Sequence, residues 1–181
     1  MSATPEEIRE YVLRAQKRDD DAFDQLVKHH ASLVAALFYA RLPGMRDQHE
    51  DLIQEVFVRA FELLPRLRDP SAFASWICGI GRNIANEHVK SLKRETSIDS
   101  VPEPAAEVKT EEPTISSESF KVCLEKLPSG LQEAFLLRHV QDYSYRAIAE
   151  ITSKTISNVS EKISRARKLL RNCLEAEGAW S

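Results

Sequence analysis

Between Glu95 and Pro113 the helical pattern of this chain stops, and that interruption limits the possible folds more than any other feature. The stretch ETSIDSVPEPAAEVKTEEP holds three prolines and no apolar period. Extended to Glu118, it carries seven acids against Lys109 alone. Such a segment buries too little apolar surface to offset its chain entropy, so it reads as an extended or disordered linker. On both sides of it, apolar residues recur at steps of three and four, the mark of amphipathic helices. Strand alternation is nearly absent. The expected fold is therefore all-α: two small helical domains, residues 1–95 and 116–178, joined by an acidic flexible linker over 96–115.

Several helix ends are written in the sequence. Thr4, Pro5 and Glu7 supply an N-cap, a proline at the first helical position and a capping-box acid. A second helix is expected from Asp21, with the stripe Phe23, Leu26, Val27, His30, Leu33, Val34, Leu37 and Phe38, and a stop at Leu42-Pro43-Gly44. A third runs from Asp47 to Leu64 and a fourth from Asp69-Pro70-Ser71 to Arg94. After the linker, one helix is expected from Ser116 to Leu127. Another follows from Ser129, with Gln132 in the capping-box position.

Two stretches carry the chemistry. In Tyr143 to Arg171, Ser144 caps a short helix and Thr155 caps a longer one whose apolar stripe is Ile156, Val159, Ile163, Ala166 and Leu170. Ser157, Asn158, Glu161, Lys162 and Arg165 then face outward. Lys154 to Arg171 holds six basic residues and one acid. A short helix bracing a basic, polar-faced one is the helix-turn-helix layout, in which the second helix enters the major groove. The fourth helix repeats Arg82, Asn83, Asn86, Glu87, Lys90 and Arg94 along one side, a stripe able to bond bases and neutralise phosphates. Trp76 falls in its apolar stripe and reads as core.

Four blocks, DLIQEVFVRAF, FASWICGIGRNIANEHVK, LPSGLQEAFLLRHVQDYSYRAIAEI and VSEKISRARKLL, stand in the order and spacing of bacterial RNA polymerase sigma factors. The chain resembles the extracytoplasmic-function (ECF, group IV) branch of the sigma-70 family over nearly its whole length apart from the linker. The resemblance implies binding to core RNA polymerase through the beta-prime clamp helices and the beta flap. It places Asp51, Leu52, Gln54, Glu55 and Phe57 at the clamp helices. It places Arg66, Arg68, Asp69 and Ser71 in a loop capturing a flipped −10 base, and Arg82, Asn83, Asn86, Glu87, Lys90 and Arg94 beside the −10 element. Thr155, Ser157, Asn158, Glu161, Lys162, Arg165, Arg167 and Lys168 fall on the −35 recognition helix. An anti-sigma factor is a further implied partner. The chain departs from the family where Asp is usual at Glu87, Arg at Lys90 and Thr at Asn158. It departs again where Leu, Gly and an apolar residue are usual at Thr152, Ser153 and Lys154. Ser153 is thereby expected at positive φ in the turn.

Bulk features limit the alternatives. The net charge of −3 excludes a chain that is basic throughout, so the basic clusters matter by position. Cys78, Cys123 and Cys173 lack metal-ligand spacing and read as incidental thiols in a reducing compartment. His29 and His30 read as packed or exposed rather than ligating. No metal, cofactor or catalytic arrangement is expected, and the expected location is the bacterial cytoplasm. Two rivals stay open: a stand-alone helix-turn-helix regulator, and a sigma-like interaction protein with weakened −35 recognition.

Overall fold

Several helix starts in the computed structural model, which describes residues 3–42, 45–95 and 117–178, fall where the sequence supplies caps. The acidic linker predicted over 96–115 lies outside the described residues, as does the Pro43-Gly44 stop. Helix α1 (Pro5–Ala15) opens with the full capping box: Thr4 accepts from the Glu7 N–H, and Glu7 accepts from the Thr4 N–H. Asp19 caps α2 (Asp20–Arg41) by accepting from the Ala22 N–H. Helix α3 (Arg46–Leu63) ends in a 3-10 turn, Leu64–Arg66. A second such turn, Pro70–Ala72, leads into α4 (Phe73–Glu95). Beyond the linker come α5 (Ser117–Glu125), α6 (Ser129–His139), α7 (Tyr145–Thr152) and α8 (Ile156–Ala176). The described residues are all-α, with no strand among them.

One core belongs to the first four helices. Leu26, Val34, Phe38, Val56, Phe73 and Ile77 are buried there, joined at the edge by Trp76. Gly81 permits the tight approach of α4 to α2, since a Cβ at this position would lie 2.6 Å from Leu37 Cδ2. His30 is buried in the same region, packs edge-on against Phe73 and donates from Nδ1 to the Leu26 carbonyl at 2.9 Å. Burial lowers its pKa from 6.5 to about 4. Between those values the unfolded chain binds a proton that the folded chain does not. The stability is thus fully present above pH 6.5 and is lost as pH falls towards 4, by about 1.4 kcal/mol per pH unit. Urea unfolding at about pH 7 and about pH 4.5 should show this loss, and His30→Leu should flatten it. An equally steep slope in the variant would place the acid-sensitive group elsewhere.

The second half of the chain does not stand apart from the first. Helix α6 is buried on every side: seven consecutive residues, Leu131 to Leu137, are buried. Helix α2 covers one side of it and α7 and α8 cover the others. One cluster joins Ala36 and Ala40 of α2 to Leu131, Phe135, Ala166 and Leu170, and another joins Leu33 and Cys78 to Ala134, Leu137, Ile148 and Ile163. Gln132, expected to cap α6, is instead buried within it. The N-cap residue is Pro128, which makes no side-chain cap.

The cysteine reading needs correction. Cys123 of α5 and Cys173 of α8 form a disulfide, and only Cys78 is a free thiol. The two are 50 residues apart in sequence, and nothing local pairs them. Packing of α5 along α8 brings their Cα atoms to 5.7 Å.

Candidate nucleic-acid interface

Helices α7 and α8 meet through the expected turn. Ser144 accepts from the Ala147 N–H, and Thr155 accepts from the Asn158 N–H, so each helix is capped by the predicted residue. Ser153 adopts φ 53° and ψ 46°, a left-handed conformation in which a Cβ is unfavourable. Its neighbour Lys154 is exposed, and its N–H donates to the Ala149 carbonyl at 2.9 Å. Thr152, half-buried, donates to the Ile148 carbonyl at 2.7 Å. Ser153→Gly should stabilise the chain by up to about 1 kcal/mol, the strain relieved less the added chain entropy. A lower melting temperature for that variant would contradict the strain argument.

Along α8, Ser157, Glu161, Arg165 and Lys168 are exposed, and Arg165 pairs with Glu161 at 3.7 Å. Thr155 is exposed, but its hydroxyl is engaged in the cap. Asn158 and Lys162 are half-buried. Arg167 is exposed yet leans on α6, donating to His139 Nε2 at 3.3 Å. Ile156 corrects the predicted stripe. It is 51% exposed, because it occupies the first turn of α8 beyond the reach of α7. The buried side is Val159, Ile163, Ala166, Leu170 and Leu174. An apolar side chain at the exposed start of α8 is suited to a thymine methyl, whereas the apolar period groups it with the buried residues.

The α4 stripe divides. Asn83, Asn86, Glu87 and Lys90 are exposed along one side. Glu87 accepts from Arg59 of α3 at 3.1 Å, and Arg59 also pairs with Glu55 at 2.6 Å. The side chain of Arg94 lies outside the described residues. Arg66, Arg68, Asp69 and Ser71 are all exposed in the loop before α4. Asp69 accepts from the Ser71 hydroxyl and N–H, and these bonds hold its carboxyl below the usual range.

Arg82 does not share the exposed stripe. It turns towards the second half of the chain, donating to Glu133 at 2.7 Å and to the Ile151 carbonyl at 3.2 Å. Arg41 approaches the other Glu133 oxygen at 3.6 Å. These groups line a cleft of about 310 Å³ together with Ser153, Lys154 and Lys162. Cationic groups of both candidate DNA-reading surfaces therefore face one small space, too narrow for a duplex whose major groove alone is about 12 Å wide. The halves also touch at α5, where Glu125 pairs with Arg46 and accepts from the Tyr39 hydroxyl.

A second surface lies on the first four helices. Val27, Ala31, Ile53 and Phe57 line an open groove between α2 and α3, about 650 Å³ in volume, with Gln54 and Glu50 at its rim. Phe23 and Phe61 extend it. Asp51 and Gln54 are exposed and Glu55 is half-buried. Leu52 is 7% exposed and packs into the core of the first four helices. Phe57 is equally buried and forms the groove floor. Val58 is 60% exposed on the groove wall.

Residues 26–95 match the family Sigma-70 region 2, and residues 117–170 match Sigma-70, region 4. The chain is 30% identical to the ECF RNA polymerase sigma-E factor of Escherichia coli over 183 residues, covering 92% of this chain and 95% of that one. It is 29% identical to the protein of the same name from Haemophilus influenzae, covering 91% and 93%. Among solved structures it is similar in fold to CnrH in complex with the cytosolic domain of CnrY. The TM-score is 0.65 at 24% identity, over 94% of this chain and 98% of that one. It is also similar in fold to the sigma factor RpoE in complex with the anti-sigma factor NepR from Bartonella quintana. There the TM-score is 0.67 at 23% identity, over 84% and 96%. The paired region matches leave no place for a stand-alone helix-turn-helix regulator, and the chain belongs to the ECF branch of the sigma-70 family of RNA polymerase sigma factors, which act in transcription initiation.

Proposed function

We propose that this sigma factor rests in a closed form and reads promoters only after its two halves separate on core RNA polymerase. The observation that carries the reading is the engagement of Arg82 by Glu133 and the Ile151 carbonyl, which occupies a −10-reading group with the −35-reading half. In the open form, Asn83, Asn86, Glu87 and Lys90, with Arg82 and Arg94, lie along the −10 element. Arg66, Arg68, Asp69 and Ser71 hold a flipped base, at an unstacking cost of a few kcal/mol offset by base and phosphate contacts. The α2–α3 groove and Asp51, Gln54 and Glu55 dock the beta-prime clamp helices. The factor contributes recognition and strand opening and catalyses nothing itself. It works in the cytoplasm, and no helix among the described residues is long and apolar enough to cross a membrane. The likeness to RpoE with NepR supports an anti-sigma factor as the partner of the closed form.

Run-off transcription with core polymerase over a promoter library tests this reading. Transcripts should require the sigma chain and share spaced −35 and −10 elements. DNA binding by the free chain as tight as that of the holoenzyme would sink it. Within the −35 contact, Ile156, Asn158, Glu161 and Lys162 set sequence preference, whereas Arg165, Arg167 and Lys168 contact phosphate. Lys162→Ala should therefore alter the promoter preference, a base contact being worth about 1–3 kcal/mol. Lys168→Ala should weaken all promoters alike and lower the salt slope by about one unit. An unaltered preference in the Lys162 variant would contradict this division.

A further inference from the structure

Two of the three cysteines are joined across the second half of the chain, and the family role gives no use for that bond. Helix α5 is nine residues long, too short to be stable alone, and it lies against α8. The Cys123–Cys173 bond ties it to the last turns of that helix. The loop closed by the bond contains all of α6 and α7 and the recognition part of α8. Every element of the helix-turn-helix is thus enclosed by one cross-link. Cys123 is 1% exposed, whereas Cys173 is half-buried at the edge of the cluster and is the more accessible of the two residues.

We propose that Cys123 and Cys173 form a reversible oxidation site for hydroperoxides, whose disulfide form locks the −35-reading unit in its folded arrangement. The inference rests on the reading of the chain as a cytoplasmic sigma factor, because disulfides in that compartment form transiently rather than persisting. Cys173 sulfur attacks one peroxide oxygen. The O–O bond breaks, the other oxygen leaves as water or an alcohol, and Cys173 becomes a sulfenic acid. Cys123 sulfur then attacks Cys173 sulfur, and the S–O bond breaks with release of water. Two thiols lose two electrons and two protons, and the peroxide is reduced. A small-molecule dithiol reverses the step by exchange.

Cys78 is the internal contrast. It lies in a different cluster, is 1% exposed, and burial pushes its thiol up to about 12. That combination makes it unreactive in the closed chain.

The experiment uses the full chain, treated with hydrogen peroxide or with dithiothreitol and then desalted. Alkylation after unfolding, read by intact mass, should count three thiols in the reduced chain and one in the oxidised chain. The oxidised chain should melt higher by on the order of 10 °C, a gap that dithiothreitol abolishes. Cys173→Ser and Cys123→Ala chains should melt alike under both treatments, and Cys78→Ser should behave as the parent chain does. Between the two midpoints, −35-dependent run-off transcription should survive in the oxidised chain and fail in the reduced one. Three thiols after peroxide, or equal melting of the two forms, overturns the proposal. Transcription by the reduced chain well below its midpoint tests the sigma reading separately, so a failure there is distinguishable from a failure of the oxidation site.

Discussion

Glu133→Gln should open the chain. Glu133 is 7% exposed and stands between Arg41 and Arg82, all three on the seam between the halves. Neutralising it leaves two partly exposed guanidinium groups beside each other at the seam without their shared carboxylate. Breaking a fully buried pair costs about 3–5 kcal/mol, and these partly exposed arginines warrant roughly 2–3 kcal/mol. The open-to-closed ratio should then rise roughly 30- to 150-fold. Cys78 provides the readout, since it is packed between the halves and its thiol is held up to about 12 by burial. Its alkylation rate should rise by the same factor while helical circular dichroism stays constant. An unchanged rate would mean that Leu33, Ala36 and Ala40 hold the seam without help from the ion pairs.

Polymerase binding should be lost through one exposed methyl-bearing residue. Val58→Asp places a carboxylate on the wall of the α2–α3 groove. Val58 is 60% exposed, so the fold should tolerate the change. A groove that receives a partner helix would lose an anchor and gain a desolvated charge, a loss of about 2 kcal/mol or more, hence at least roughly 30-fold in affinity. Asp51→Lys tests the exposed side of α3, where Asp51 has no bonding partner among the described residues. Glu55 is the poorer choice, because it holds Arg59, and Arg59 in turn holds Glu87. Core-polymerase titrations that leave the Val58→Asp affinity intact would remove the groove from the docking surface.

Features fixed by a few neighbouring residues were legible in the sequence. The Thr4, Ser144 and Thr155 caps and the left-handed Ser153 all depend on contacts within one turn, and all appear as read. What failed to show depends on neighbours distant in sequence. Periodicity reports one covered face per helix, so an acid such as Glu133 reads as a solvent position. It is buried because α2 covers the side of α6 that its own half leaves open. Ala36 and Ala40 fall outside the α2 stripe for the same reason: they contact the other half. Ile156 fits the α8 period yet stays exposed, since no element reaches the start of that helix. Pairing of Cys123 with Cys173 follows only from the way α5 lies along α8. The division of the chain into 1–95, 96–115 and 116–178 stands as a proposal alongside the site roles.

The covering of α6 on all sides has a kinetic consequence. The two halves do not part residue by residue, because Ala36 and Ala40 pack into one shared cluster with the second half and Leu33 and Cys78 into another, both against α6. Separation is then a single step with its own rate, and a partner that needs the open form must wait for it. The observed rate of holoenzyme formation should rise with polymerase concentration and then level off at the opening rate. Past that plateau the pace of a transcriptional response is set inside the sigma chain, by the packing of one helix, and more polymerase does not hasten it.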